Sequence, residues 1–267
     1  MSVGDGGSPV TAAVPRDETT ADAPPVGRGG TARRIGRLLA RGPLRPGQFD
    51  DARRIAQTPV LRALVAGGPG VTGAVLDAGS GRDGLYDAFL AEQRGVRSVA
   101  HVDLDPPAGD DRPGHTQHRA SLTDLPFDDA SFDSAVCFEV LEHIEDERRA
   151  ATELARVVRP GGTALVSVPM PPAPFDPAHV REGYAPAQLD ALLRDAGFTV
   201  LARGTCMYGL LRALIAVWRL QGRVVFGDPT VGYVPAGVVR LVAHLDRRLR
   251  LGRPWDLVVL AQRTDGR

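Results

Sequence analysis

The stretch Ala74-Val75-Leu76-Asp77-Ala78-Gly79-Ser80-Gly81-Arg82-Asp83-Gly84 constrains the fold of this chain more than any other. An apolar run ends in an acid, and three glycines follow at the spacing G-x-G-x-x-G. A buried parallel strand reads this way when it turns sharply into a helix beneath a nucleotide. The glycines permit the tight turn and a close backbone approach, and the new helix N-terminus offers N–H groups to an acceptor. Glycine-rich turns are common, so the pattern alone decides little. Asp77 sharpens it. Dinucleotide-binding strands usually carry an apolar residue there, whereas a carboxylate at the strand end suits a ligand with a cationic group.

At 267 residues, one large α/β domain or two small ones are affordable in core volume. Basic and acidic residues balance at 32 each, which argues against a nucleic-acid-sized basic field or an acidic tail. Cys137 and Cys206 lie far apart and give neither a disulfide framework nor zinc spacing, which favours a reducing cytoplasm. No signal-like N-terminus and no apolar run of membrane-spanning length are evident, so a soluble protein is expected.

Residues 1–29 are rich in Gly, Pro, Ser, Thr, Ala and Asp without periodicity and read as a disordered tail. The remaining residues, 30–267, read as a single domain. Within it, 30–68 hold two helices: a short basic one over Thr31–Arg41, and one over Gly47–Ala66 with Ile55, Val60, Leu61 and Leu64 inward. These helices either pack on the domain or cover a substrate entrance. Residues 69–204 form the core. The pattern predicts strands at Val96–Asp103, Phe132–Phe138, Thr163–Pro169 and Thr199–Arg203, and helices at Leu85–Gln93, Glu147–Val158 and Pro186–Ala196. Asp103 lies about twenty residues beyond the glycines, where an acid at a strand tip reaches a ribose hydroxyl pair. Residues 108–120 read as a polar loop; its His115 and His118 lack a third ligand, and no metal ligand is assigned anywhere. Prolines 171, 172, 174 and 177 force an extended segment. A helical insert over 205–252 precedes a last strand, Asp256–Arg263, in the closing segment 253–267. Alternating strands and helices of this kind mean a doubly wound, Rossmann-like, mostly parallel seven-stranded sheet with helices on both faces.

Taken together, Val75-Leu76-Asp77-Ala78-Gly79-Ser80-Gly81, Val102-Asp103-Leu104-Asp105, Asp124-Leu125-Pro126-Phe127, Phe132-Asp133, Leu141-Glu142-His143 and Arg156-Val157-Val158-Arg159-Pro160-Gly161-Gly162 resemble the class I S-adenosylmethionine-dependent methyltransferases, in particular the small-molecule group that includes ubiquinone-biosynthesis-like enzymes. The resemblance covers roughly residues 70–170 in the family's order and implies S-adenosyl-L-methionine as cofactor. It further implies that Asp77 helps hold the methionine amino group, and that Gly79, Ser80 and Gly81 lie against the methionine and ribose. Asp103 would take the ribose hydroxyls, Leu104 would pack on the adenine, and Leu122 would touch its edge. Phe138 and Glu139 would border the methionine and the transferred methyl. Two departures stand out. The family's commonest third glycine falls at Asp83, which suits a helix cap, and the acid that often contacts the adenine amino group falls at Ser121.

Methyl transfer from a sulfonium is an in-line displacement that needs a base only when the acceptor keeps its proton at neutral pH. His143 is the catalytic candidate. On a helix, Glu139, Glu142 and His143 would share a face; they read first as structural residues, next as a proton acceptor, and last as two carboxylates and an imidazole for a divalent ion. His179, Arg181, Glu182 and Tyr184 line the acceptor side or form an ordinary surface loop. In the insert, Leu210–Leu220 is almost wholly apolar and Val238–Leu251 is amphipathic with Arg240, Arg247, Arg248 and Arg250. This pair adds core packing, roofs an acceptor pocket, dimerises or touches a membrane surface peripherally. The expected acceptor is a small or lipid-like molecule methylated at oxygen, with no nucleic acid as partner. A non-catalytic cofactor-binding protein and an NAD-dependent oxidoreductase are the competing readings.

Overall fold

The computed structural model describes residues 47–81, 84–106, 112–172, 178–228, 231–232 and 234–264. The expected tail 1–29, the helix at Thr31–Arg41, the Asp83 cap and Pro174 and Pro177 lie outside these residues. In chain order the elements are β1 (Gly47–Gln48), α1 (Phe49–Ala66), β2 (Gly73–Ala78), α2 (Asp87–Ala91), β3 (Val96–Asp103), β4 (His115–Arg119), β5 (Phe132–Phe138), a 3₁₀ turn (Leu141–His143), α3 (Glu147–Val157) and β6 (Val158–Pro169). There follow α4 (Pro186–Asp195), β7 (Phe198–Cys206), α5 (Gly209–Gln221), β8 (Val231–Gly232), α6 (Ala236–Leu249) and β9 (Asp256–Arg263).

Seven strands form one sheet in the order β4-β3-β2-β5-β6-β9-β7. From β4 to β6 the neighbours are parallel, and β9 runs antiparallel between β6 and β7. The order reverses between β2 and β5, so a crevice opens there beyond the carboxyl ends of the strands. Alternate residues of each strand feed two cores. Leu76, Ala78, Ala100, Val102, Ala135 and Cys137 join α3 and α4 on one face. Val75, Val99, Val136, Phe138 and Leu165 join α1, α2, α5 and α6 on the other. Both faces are covered, which is why the strands are apolar throughout.

The structure departs from the sequence reading at several points; Gly47–Gln48 form a strand, and β6 begins at Val158 and not at Thr163. The helix after the glycine turn is confined to Asp87–Ala91, because Gly84 adopts φ 53° and Tyr86 stays outside the helix with its side chain buried. Residues 115–119, expected as loop, form β4 alongside β3. As an edge strand it buries too little to need an apolar run, so its pattern was silent. Strand β7 runs to Cys206, paired with β9 from Phe198↔Arg263 to Cys206↔Asp256, which takes Thr205 and Cys206 out of the insert. Glu139 does not begin a helix. Its φ of 57° turns the chain left-handed, and only Leu141–His143 form a 3₁₀ turn. The three residues thus do not share a helical face.

Candidate functional site

The glycine turn is anchored at the crevice. Gly79 and Ser80 donate their N–H groups to the Val102 carbonyl at 2.8 and 3.0 Å, tying the end of β2 to β3. Gly79 has φ 80°, and a Cβ there would lie 2.3 Å from Val140, so neither the conformation nor the space admits a side chain. At Gly81, also left-handed, the space is open. Its N–H donates to one carboxylate oxygen of Asp103 at 3.0 Å, while the other accepts from the Asp105 N–H at 3.0 Å. Next to this carboxylate Leu104 is 70% exposed, a large apolar side chain at the crevice rim.

Asp77 is less available than the sequence suggested. It is 5% exposed, and one oxygen is hydrogen-bonded to Nδ1 of His101 at 2.9 Å. His101 continues through Nε2 to His115 at 2.9 Å, so the edge strand β4 completes a polar chain starting at the acid. Burial pushes the Asp77 carboxyl up, His101 opposes the shift, and the nearby charges of Asp87 and Asp103 add to it. Asp77 and Asp87 stand close together beside the turn, Asp87 paired with Arg112 at 2.8 Å, and a cationic ligand would relieve the repulsion that remains. These residues fit a sulfonium nucleoside: negative charge near the turn, a strand-end carboxylate, and an exposed apolar platform beside it.

The side chains of three other expected contacts pack within the protein. The Phe138 ring packs on Tyr86 at 4.4 Å and Phe89 at 6.3 Å, inside the core. Leu122 is likewise a core residue. Ser121 spends its hydroxyl on Thr123, at 2.7 Å to the side chain, and accepts from the Thr123 N–H.

Glu139 belongs to a buried polar cluster that sequence reasoning missed. From α1, Arg53 meets one oxygen of Glu139 at 2.9 Å and Gln57 donates to the other at 2.8 Å. Gln57 also donates to Asp256 at 3.0 Å, Ser167 donates to Glu139 at 2.8 Å, and the Tyr86 hydroxyl donates to Gln57. Arg53 and Gln57 are one turn apart, so they fall on the inward face beside Ala52, Ala56 and Val60. That an arginine and a glutamine interrupt an otherwise apolar stripe was the available signal. Burial, then the Glu139 charge, pushes the Asp256 carboxyl up to about 7.

Beyond Glu139 the side chains diverge. Glu142 is fully buried, and among the described residues neither of its carboxylate oxygens has a hydrogen-bond partner. Burial, reinforced by Glu139, pushes its carboxyl up to about 9. His143, about one-third exposed, directs Nδ1 to the Ala178 carbonyl at 3.1 Å and Nε2 towards Glu142 at 3.9 Å. His179 stands edge-on to it, with ring centroids 4.6 Å apart. Arg181 and Tyr184, read as acceptor-side lining or as an ordinary surface loop, stitch two segments together. Arg181 donates to the carbonyls of Leu141 and Ile144 at 2.6 and 2.8 Å, and the Tyr184 hydroxyl to that of Leu141 at 3.1 Å.

Residues 76–166 match the methyltransferase domain family. Through this stretch the chain is similar to the class I S-adenosylmethionine-dependent methyltransferases. It is 39% identical over 140 residues to a probable S-adenosylmethionine-dependent methyltransferase of Mycolicibacterium smegmatis, covering 47% of this chain and 52% of that one. To the O-methyltransferase cnsE of Penicillium expansum it is 34% identical over 148 residues, 48% of this chain and 52% of the other. The chain thus spans about half the length of these curated relatives. A solved S-adenosylmethionine-dependent methyltransferase from Mesorhizobium loti shares the fold, with a TM-score of 0.52 and 22% identity over 78% of this chain and 98% of that one. These matches do not single out the ubiquinone-biosynthesis-like group. Among the described residues of this chain, no helix is long and apolar enough to cross a membrane.

Proposed function

We propose that this chain transfers a methyl group from S-adenosyl-L-methionine to a hydroxyl oxygen of a small or lipid-like acceptor. The observation that carries the reading is that Asp77 and Asp87 stand together beside the glycine turn, with Asp103 bound to its Gly81 N–H, at the switch point of the sheet. When bound, the sulfonium supplies an activated methyl on a good leaving group. Asp103 would hold the ribose hydroxyls from the tip of β3, with its carboxylate preset by Gly81 and Asp105. Leu104 would cover the adenine, and the left-handed Gly79 and Gly81 would let the backbone approach. Asp77, held by His101, would face the ammonium as part of the acidic wall rather than as a free hand.

The choice of oxygen is supported by similarity to an O-methyltransferase and by the corner formed by Glu142, His143 and His179 at the end of β5. An oxygen acceptor must give up a proton before or during transfer, and we assign its removal to that corner. The buried Arg53–Gln57–Glu139–Asp256 cluster would hold α1 over the same edge and keep water from it. Calorimetry with S-adenosylmethionine, S-adenosylhomocysteine and NADH tests the cofactor: micromolar affinity for the first two and none for NADH is expected. No affinity for either nucleoside at millimolar levels would end the proposal. Incubating the protein with small-molecule extracts and scoring the mass increase of one methyl group would then identify the acceptor.

A further inference from the structure

We propose that Glu142, His143 and His179 form a binding site for one divalent transition-metal ion such as zinc or cobalt. Each of the three offers one ligand atom, and these atoms all lie within 4.8 Å of one another. Tetrahedral ligands at zinc-like bond lengths stand about 3.3 Å apart. The 3.9 Å between Glu142 and Nε2 of His143 is therefore within about 1 Å of that spacing, and binding would draw the three groups together.

Two further observations point to a cation rather than to a chance cluster. Glu142 is fully buried, yet both its oxygens lack a hydrogen-bond partner among the described residues. Burial holds this acid neutral, yet its oxygens stay unpaired, a cost that a bound cation would remove by displacing the proton. Arg53 makes its ion pairs with Glu139 and Asp256, and its charge opposes the upward shift of Glu142 without offsetting burial. His143, moreover, is oriented as a metal ligand is. Its Nδ1 meets the Ala178 carbonyl, which fixes the tautomer and leaves Nε2 as the lone-pair nitrogen towards Glu142. The two segments are held in register by the Val180 N–H to the Glu142 carbonyl at 3.0 Å and by Arg181, so His179 is brought to the corner by backbone as well as side-chain bonds.

Two imidazoles with one carboxylate favour zinc and neighbouring transition metals over magnesium or calcium, which prefer all-oxygen shells. Three protein ligands leave a position open to an outside oxygen. The consequence for chemistry rests on the methyltransferase reading. A hydroxyl bound there would release its proton to solvent at neutral pH, and its oxygen would bond to the methyl carbon as the carbon–sulfur bond breaks and the thioether leaves neutral.

The test uses the untagged full chain, stripped with chelator and titrated with Co²⁺ alone. One ion per chain, by elemental analysis after gel filtration, and visible d–d absorption bands are expected. His179→Ala, on a half-buried loop residue, should weaken uptake at least about tenfold while circular dichroism stays unchanged. His101→Ala, which breaks the separate Asp77–His101 pair, should leave uptake as in the parent. Absence of stoichiometric uptake by the parent chain would overturn the site, as would undiminished uptake by folded His179→Ala. Calorimetry with S-adenosylhomocysteine on the same sample separates the two ideas. Metal uptake without nucleoside affinity sinks the methyltransferase reading alone, and the converse sinks the metal site alone.

Discussion

Asp77 and Asp103 stand on the same face of adjacent parallel strands, because Asp77 is in register with His101 and Asp103 lies two residues further along β3. The same alternation places Asp103 nearer the rim, where its carboxylate also fixes Gly81 and Asp105. One acid is deep and committed to a histidine; the other sits at the strand tip.

This difference predicts unequal effects of removing them. Asp103→Asn keeps the shape but loses a charge-assisted bond pair to a ribose, worth about 1.5–3 kcal/mol. S-adenosylhomocysteine affinity should fall roughly 10–100-fold in calorimetry, with the melting temperature little changed. An unaltered affinity would remove Asp103 from the site.

Arg53 is the counter-charge for two buried acids, and truncating it leaves both uncompensated. Arg53→Ala should cost about 3–5 kcal/mol in denaturant unfolding. Pairing it with Glu139→Gln should recover part of that loss, since the remaining charge burden is smaller. If Arg53→Ala unfolds like the parent, the cluster has no structural role.

The pH dependence of stability follows from Asp256. Its carboxyl is raised to about 7 in the folded protein against 3.8 ordinarily, so the folded state binds the extra proton between those values. Stability attached to this group is fully present below about pH 4 and is lost as pH rises towards 7, at up to about 1.4 kcal/mol per pH unit. Asp256→Asn should flatten the slope over pH 4–7 in urea titrations. An unchanged slope would assign the titration elsewhere.

How much of this could be read in the sequence depended on whether a residue's role is local. The strands Phe132–Phe138 and Asp256–Arg263 were legible to the residue, because burial on both faces writes a continuous apolar run. The glycine turn was legible for the same kind of reason: Gly79 has φ 80° and no room for a side chain. What stayed hidden was set by distant partners. Strand β4 takes its hydrogen bonds from β3 without needing an apolar face. Glu139 left the expected helix because Arg53 and Gln57, from α1, hold its carboxylate. No spacing near residue 139 announces a partner more than eighty residues earlier. Of the candidate site, Asp103, Leu104 and the glycines stand at the crevice, and the side chains of Phe138 and Leu122 pack in the two cores.

The insert supplies the last prediction. Helices α5 and α6 bury Leu211, Ile215, Trp218, Val239 and Ala243 in the same core as α1, so deleting them would strip the sheet rather than lift a separate cap. A point change probes them more cleanly. Asp246, 2% exposed on α6, accepts from the N–H groups of Tyr208, Leu210 and Leu211 at 2.6, 2.9 and 3.1 Å, capping the start of α5. Its charge faces the positive end of that helix. Asp246→Ala strands three buried or half-buried donors and should cost about 3 kcal/mol, with Asp246→Asn costing less because one carbonyl still accepts. Nucleoside affinity, measured below the lowered melting point, should persist in both, because Asp77, Asp103 and the glycine turn do not contact this cap. Loss of affinity in a folded Asp246→Ala protein would mean that the two helices shape the cofactor crevice directly.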